Sequence, residues 1–481
     1  MQKKDLTFYY DGIRGPISTS IYDAEYYQSN ILLAPMIGTL VVYFSDERPT
    51  PYVAESWSQN ELTWTFNIRP GLTCENGEPI TAASFRESLL RSLKWLSQHS
   101  DQPLFEKLVG YEDFINSGNG DKLGLLAEGE QLIFKFREPF RSGFLEYLSM
   151  APFGYICREN FNSDLSWKDK TKFVSSGGYV LGDYIPGVEY ALNRREDYSL
   201  VDQNSPKHVI IKSGGAEKLS SQQKSTIVET TNSQKVEVDG FNVIKQIPMV
   251  LGVVCLSEQA GKWFESHKLR KAFSNVYKAH LRSAEFDTFT SHKTEFFFFN
   301  QETELSPLGL IGEDEDLPAP QEPLIIRSAP LPLSDRVQFG EDILKKTLDT
   351  LKWPYKIDNS AVASVEQMKD LSRYDIRLIG AEVGSGFEGW VVGMLFCSEM
   401  GANWPDPSGR VCQLVRDYEK SSMDIKDAID RFNTYLHEDA ALFPVYHRGG
   451  YYLVSDDIDI SSLSPLITRI RFDEIRFKNN D

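Results

Sequence analysis

Apolar positions recur with two different periods along this chain, and the changes of period mark its elements. Phe85, Leu89, Leu93 and Leu96 are spaced four, four and three apart, which predicts a helix beginning near Thr81 with one apolar stripe. Ile425, Ala428, Ile429, Phe432 and Leu436 repeat that pattern and predict a second amphipathic helix. Strands are expected at residues 6–10, 62–68 and 132–136, the last closed by Glu138-Pro139. Val250-Leu251-Gly252-Val253-Val254 is apolar without alternation and reads as a buried strand; residues 374–379 give another, and proline-rich 317–323 and 329–332 bracket one more. Strands interleaved with helices imply mixed α/β layers. Residues 212–240, rich in Ser, Gln, Lys and Thr, separate the first half of the pattern from the buried strand at 250.

Ordered landmarks give the pattern an identity. Ala54-Glu55-Ser56-Trp57 is followed by Leu62-Thr63-Trp64-Thr65-Phe66-Asn67-Ile68-Arg69-Pro70-Gly71-Leu72 and by Asn76-Gly77-Glu78-Pro79-Ile80-Thr81-Ala82. Then come Ser175-Ser176-Gly177-Gly178-Tyr179, Pro186-Gly187, Leu192-Asn193-Arg194-Arg195-Glu196-Asp197-Tyr198 and Arg270-Lys271-Ala272-Phe273. Leu436-His437-Glu438-Asp439-Ala440 and Phe443-Pro444-Val445-Tyr446-His447 close the series. In this order they resemble the family of solute-binding proteins that serve peptide and nickel ABC importers, with Ser175, Ser176 and Gly178 as departures from its Gly-Thr-Gly-Pro-Tyr turn.

The resemblance implies a two-lobed type II periplasmic-binding-protein fold. Lobe one is expected over residues 1–245, with an inserted subdomain at about 46–165. Lobe two follows at 246–450, and 451–481 return to lobe one. It implies a substrate-binding subunit that captures a peptide or peptide-like ligand, closes by hinge rotation and meets a membrane permease, acting as a monomer without a cofactor or catalysis. Relatives are exported, so the start at Met1-Gln2-Lys3 without an apolar leader is expected to represent a mature form cut after its signal. A cytoplasmic ligand-sensing domain of the same fold is the alternative, and an enzyme on a two-lobed scaffold a distant third.

Charge and composition narrow the partners. With 41% hydrophobic and 25% charged residues over 481 positions, the chain is an ordinary folded protein, long enough for two or three domains. A net charge of −18 repels phosphate backbones and anionic lipid, which argues against nucleic-acid or membrane-surface partners. Cys74, Cys157, Cys255, Cys397 and Cys412 lack zinc-ligand spacing and read as small buried hydrophobes, or, for Cys397 and Cys412, as a pair for an oxidising compartment. The sequence contains no Gly-x-Ser-x-Gly elbow, His-Glu-x-x-His helix, phosphate loop or EF-hand. Gly384-Ser385-Gly386-Phe387-Glu388-Gly389 matches a dinucleotide fingerprint, but no acidic ribose ligand stands at the required distance.

The same segment matters for the cleft that the resemblance implies. Peptide-binding relatives carry there an aspartate that pairs with the ligand's α-amino group. One register sets Gly384 at that place and another, through Gly401-Ala402-Asn403-Trp404-Pro405-Asp406-Pro407, sets Asn403; the carboxylate is lost in both. Glu382 and Glu388 are the acids able to substitute, with Ser385, Trp390 and Trp404 as further lining candidates. From the first strand and its loop, Tyr10, Arg14 and Ser18 are expected at the cleft. Phe296-Phe297-Phe298-Phe299 is expected in core and inter-lobe packing, since consecutive aromatics cannot share one side of a strand.

Overall fold

A computed structural model describes the chain apart from residues 1–4, 11–12, 14–15, 22–26, 44–47, 99–104, 139–142, 258–265, 299–319, 321, 332, 361–373, 384–388, 398–403, 465–469 and 479–481, and apart from the side chains of Tyr27, Gln28 and Trp390. The chain forms two compact units. One comprises Met1–Thr231, Val236–Ile247 and Gly450–Asp481; the other comprises Asn232–Lys235 and Pro248–Gly449.

The first unit is built on a seven-stranded sheet. Its order is Phe241–Lys245, Tyr451–Ser455, Thr226–Thr230, Asp5–Tyr10, His208–Ser213, Glu189–Arg194 and Tyr179–Ile185. Asp5–Tyr10 runs parallel to both of its neighbours, and the remaining pairs are antiparallel. A separate antiparallel sheet orders Ala54–Asn60, Thr63–Ile68, Gln131–Lys135 and Leu125–Glu128. The helix Ala82–Leu96 packs on its Leu125–Glu128 and Gln131–Lys135 strands. Phe85, Leu89 and Leu93 of its predicted stripe are fully buried, which contributes about 1.5–3 kcal/mol each. Thr81 caps the helix by accepting from Ser84 N, while Ser84 Oγ accepts from Thr81 N.

In the second unit, six strands lie in the order Ser291–Lys293, Leu442–Arg448, Val250–Leu256, Ile376–Glu382, Leu324–Arg327 and Tyr355–Asp358. Helices cover both faces, which is why Val250–Leu256 shows no polar alternation. Leu251, Val253 and Cys255 enter one core with residues of the helices Gly389–Phe396, Arg410–Lys420 and Ile425–Asp439. Val254 and Leu256 enter the other with residues of His267–Ser283 and Asp335–Leu351. Between them Gly252 lies under the Tyr446 ring, which any Cβ there would overlap.

The aromatic run resolves without a strand. Phe297 and Phe298 sit in a bend, so both reach one core and meet edge to face at 4.8 Å; the alternation argument fails because the extended backbone it assumed is absent there. Phe299 lies outside the described residues.

Candidate ligand-binding site

In open α/β sheets, ligands bind beyond the carboxyl ends of parallel strands where connections diverge to either side. Asp5–Tyr10 meets that condition in the first unit, lying between two parallel partners. At its carboxyl end Tyr10 pairs in register with Ser213 on one side and Glu229 on the other, and Glu229 pairs in turn with Tyr452. Cross-strand partners share a face, so these four residues form one row. Tyr10 is half-buried, whereas Glu229 and Tyr452 are fully buried.

The loop beyond Tyr10 is pinned from several directions. Ser213 Oγ donates to Ile13 O at 3.3 Å, and Tyr190 Oη accepts from Ile17 N at 2.6 Å. Thr19 Oγ1 donates to Lys172 O at 3.0 Å, and Ser18 Oγ accepts from Ser20 N at 3.1 Å. Tyr10 thus ends its strand half-buried, and Ser18 lies on a segment held against residues 169–172. Arg14 lies outside the described residues.

The second unit has a corresponding row. Val250 pairs in register with Glu382 on one side and Arg448 on the other, and Arg448 pairs with Ser291. Glu382 is exposed at the end of its strand, followed by buried Val383. Gly384, Ser385, Glu388 and Asn403 lie outside the described residues; Trp390 lies on the helix Gly389–Phe396, and its side chain is not described.

Trp404 departs from the expectation. Its ring is 2% exposed and packed edge-on against Phe297 and Phe396, and its amide donates to Leu395 O at 2.8 Å. It is a core residue of the second unit, because burying an indole stabilises more than leaving it at a rim. Asp406 accepts from Val411 N and Cys412 N and so satisfies the start of the helix Arg410–Lys420.

Several landmark residues prove to be architectural. Ser175 Oγ donates to Tyr179 O at 2.6 Å and accepts from Gly177 N at 3.1 Å, so this hydroxyl closes the turn itself. Arg270 donates to Asp439 O at the carboxyl end of Ile425–Asp439. His447 is buried against Phe296 O at 3.1 Å, and burial pushes its pKa down to about 4, which keeps the ring neutral.

Both Cys397–Cys412 and Cys74–Cys157 are disulfides, with Cα atoms 5.5 and 6.3 Å apart. The first joins the pair that the sequence offers for an oxidising compartment. The second spans 83 residues and left no spacing signal. Glu229 is the other residue missed; an acid inside Ile227-Val228-Glu229 was the available clue.

A shallow cavity lined by Ala284, Glu285, Phe286, Asp287 and Lys293 contains none of the candidate residues. Its lysine caps a helix end, donating to Arg282 O at 2.9 Å. Among the described residues no cluster of three metal-ligating side chains occurs, and no helix is long and apolar enough to cross a membrane.

Residues 48–277 match the family described as bacterial extracellular solute-binding proteins, family 5 middle. A putative binding protein of Haemophilus influenzae is 28% identical over 184 residues, 35% of this chain and 32% of that protein. The periplasmic oligopeptide-binding protein OppA of Escherichia coli K12 is 25% identical over 166 residues, 33% of this chain and 30% of that protein. The chain thus spans about a third of the length of these relatives in sequence. In structure the likeness extends over nearly the whole chain: the alignment with Haemophilus influenzae OppA in complex with RPPGFSPFR, 14% identical, covers 99% of both chains with a TM-score of 0.72. At that identity it shows the two-lobed α/β fold expected from the landmarks.

Proposed function

We propose that this chain is a family 5 bacterial extracellular solute-binding protein, as the match of residues 48–277 supports, and the substrate-binding subunit of an ABC importer. It captures a peptide or peptide-like ligand, closes by hinge rotation of its two units and presents the closed form to a membrane permease. The observation that carries this reading is the family match, joined to a fold in which two separately cored units exchange the chain several times. Such connections suit hinge closure. Closure is favoured only by the ligand's differential affinity for the closed state, so the ligand touches both units.

The relatives named above are binding proteins, which supports a role without covalent chemistry. Two disulfides support an oxidising, extracytoplasmic setting. Tyr10 and Glu382 are the lining residues that the described rims favour, with Arg14, Ser18, Gly384, Ser385, Glu388, Trp390 and Asn403 completing the proposal.

Protein purified under native conditions is expected to release a small organic molecule on denaturation, identified by mass spectrometry. The stripped protein should rebind it one to one with a smaller radius of gyration in small-angle scattering. Binding at saturation with an unchanged scattering profile would overturn closure, and failure of every released compound and peptide to rebind would overturn the importer role.

A further inference from the structure

The two units are joined at four places in the chain: between residues 231 and 232, 235 and 236, 247 and 248, and 449 and 450. On the first unit's side, the residues beside these junctions are tied by buried polar groups. Glu229 stands two residues before the first junction, and its carboxylate accepts from Gln246 Nε2 at 2.8 Å, while Gln246 itself precedes the third junction by one residue. The Gln246 amide donates to Gly450 O at 2.9 Å, and Gly450 is the first residue of this unit past the fourth junction. A Cβ at Gly450 would overlap Gln246 Oε1 and approach Thr230 O to 2.8 Å, so only glycine fits. Tyr452 covers the pair. Burial first, and then the Glu229 carboxylate, raise its phenol well above the ordinary pKa. Val236, the first residue past the second junction, donates to Tyr451 Oη at 3.1 Å.

The second unit has its own tie. Thr290, 1% exposed, accepts from Gly449 N at 2.8 Å through its carbonyl and donates from Oγ1 to Asn232 O at 3.1 Å. One residue thereby holds the chain at the first and fourth junctions. Ser233, inside the short excursion, accepts from Phe289 N at 3.0 Å and donates to Asp335 Oδ2 at 2.6 Å.

We infer that Glu229–Gln246 in one unit and Thr290 in the other are two clamps that confine relative motion of the units to the four junction peptides. Buried hydrogen bonds such as Gln246 Nε2 to Glu229 and Thr290 Oγ1 to Asn232 O hold their groups in place, because breaking them strands a desolvated donor or acceptor. Each clamp fixes its strands as a rigid root. The backbone rotation then falls on the junction bonds, where Gly449-Gly450 supplies conformational freedom. This rests on the hinge of the preceding section for its use, whereas its test needs no ligand.

The test is pulsed electron–electron spin resonance on the unliganded full chain. Labels at exposed Glu130 and Lys346, through E130C and K346C, report between units; labels at Lys346 and Lys426, through K346C and K426C, report within the second. Gln246→Leu removes the donor to Glu229, and Thr290→Val removes the hydroxyl clamp at nearly constant volume. Both are expected to broaden the inter-unit distance distribution at least twofold and to leave the distribution within the second unit unchanged. An unchanged inter-unit width in the folded variants, or equal broadening of both label pairs, overturns the inference. Should Gln246→Leu fail to fold, Thr290→Val alone decides it.

Discussion

Lys278 shows how a single partly buried charge sets a pH dependence. Its ammonium donates to His437 Nδ1 at 2.6 Å, and burial, reinforced by Arg282 and opposed by Glu295, pushes its pKa from 10.5 down to about 8. Below pH 8 both folded and unfolded chains hold the proton, and the burial cost is fully present. Between pH 8 and 10.5 the unfolded chain binds more protons, so stability rises with pH across that window. Lys278→Met is expected to raise stability at pH 7 by about 1–3 kcal/mol and to flatten the rise. Urea unfolding of both proteins at pH 7 and pH 10 measures it; a variant less stable at pH 7 would refute the argument. Arg471 behaves oppositely, because its largely buried guanidinium is paired bidentately with buried Asp473, at 3.0 and 2.7 Å, and lies over the Tyr52 ring. Arg471→Met should cost about 3–5 kcal/mol by stranding that carboxylate, read as a lower urea midpoint, whereas an unchanged midpoint would show the pair to be idle. Such positions also mark how far a site is legible in sequence. The strand that Tyr10 ends is visible in the pattern, but Tyr452 meets Glu229, more than 200 positions earlier, only through sheet register. Trp404 was misjudged because an aromatic beside a loop looks the same in sequence whether it faces a core or a cleft.

Elements were more legible, since each carries its own period. Thr81 and its stripe gave the helix Ala82–Leu96, and the unbroken apolar run gave Val250–Leu256 with helices on both faces. Strand order was not legible. Tyr451–Ser455 inserts between Phe241–Lys245 and Thr226–Thr230, a pairing set by packing long after the local pattern ends. The disulfides divide in the same way. Cys397–Cys412 spans 15 residues and staples neighbouring helices, while Cys74–Cys157 spans 83 within the first unit. Cross-links stabilise chiefly by restricting the unfolded chain, and more so for longer loops, so removing the longer one should cost about 4–5 kcal/mol and the shorter about 3. Chemical unfolding of the C74S/C157S and C397S/C412S variants, followed separately for each unit, tests this ranking. A larger loss for the shorter loop would show that local strain, not chain entropy, governs these bridges.

On the proposed reading, ligand choice depends on charge balance between the cleft and its occupant. A chain of net charge −18 attracts cations at long range, but long-range attraction does not replace a contact partner once water is expelled. A buried α-ammonium needs an adjacent anion, because desolvating it unpaired costs several kcal/mol. The resemblance implies that anion's place at Gly384 in one register or at Asn403 in the other, neither of which carries charge. On the proposed reading, neutral or amino-blocked ligands need no such anion and bind through hydrogen bonds and stacking alone. Unmodified di- to pentapeptides are therefore expected to bind at or above the micromolar range, about −8 kcal/mol, with acetylation of the amino terminus neutral or favourable. Glu388, and next Glu382 at the exposed end of its strand, are the side chains able to restore the pairing. Calorimetry with matched free and acetylated peptides on wild type, E382Q and E388Q decides among these. Nanomolar binding of a free peptide, lost on acetylation and in one of the two variants, would identify that glutamate as the missing anion; the same affinity retained in both variants would show that the cleft draws its carboxylate from elsewhere in the chain.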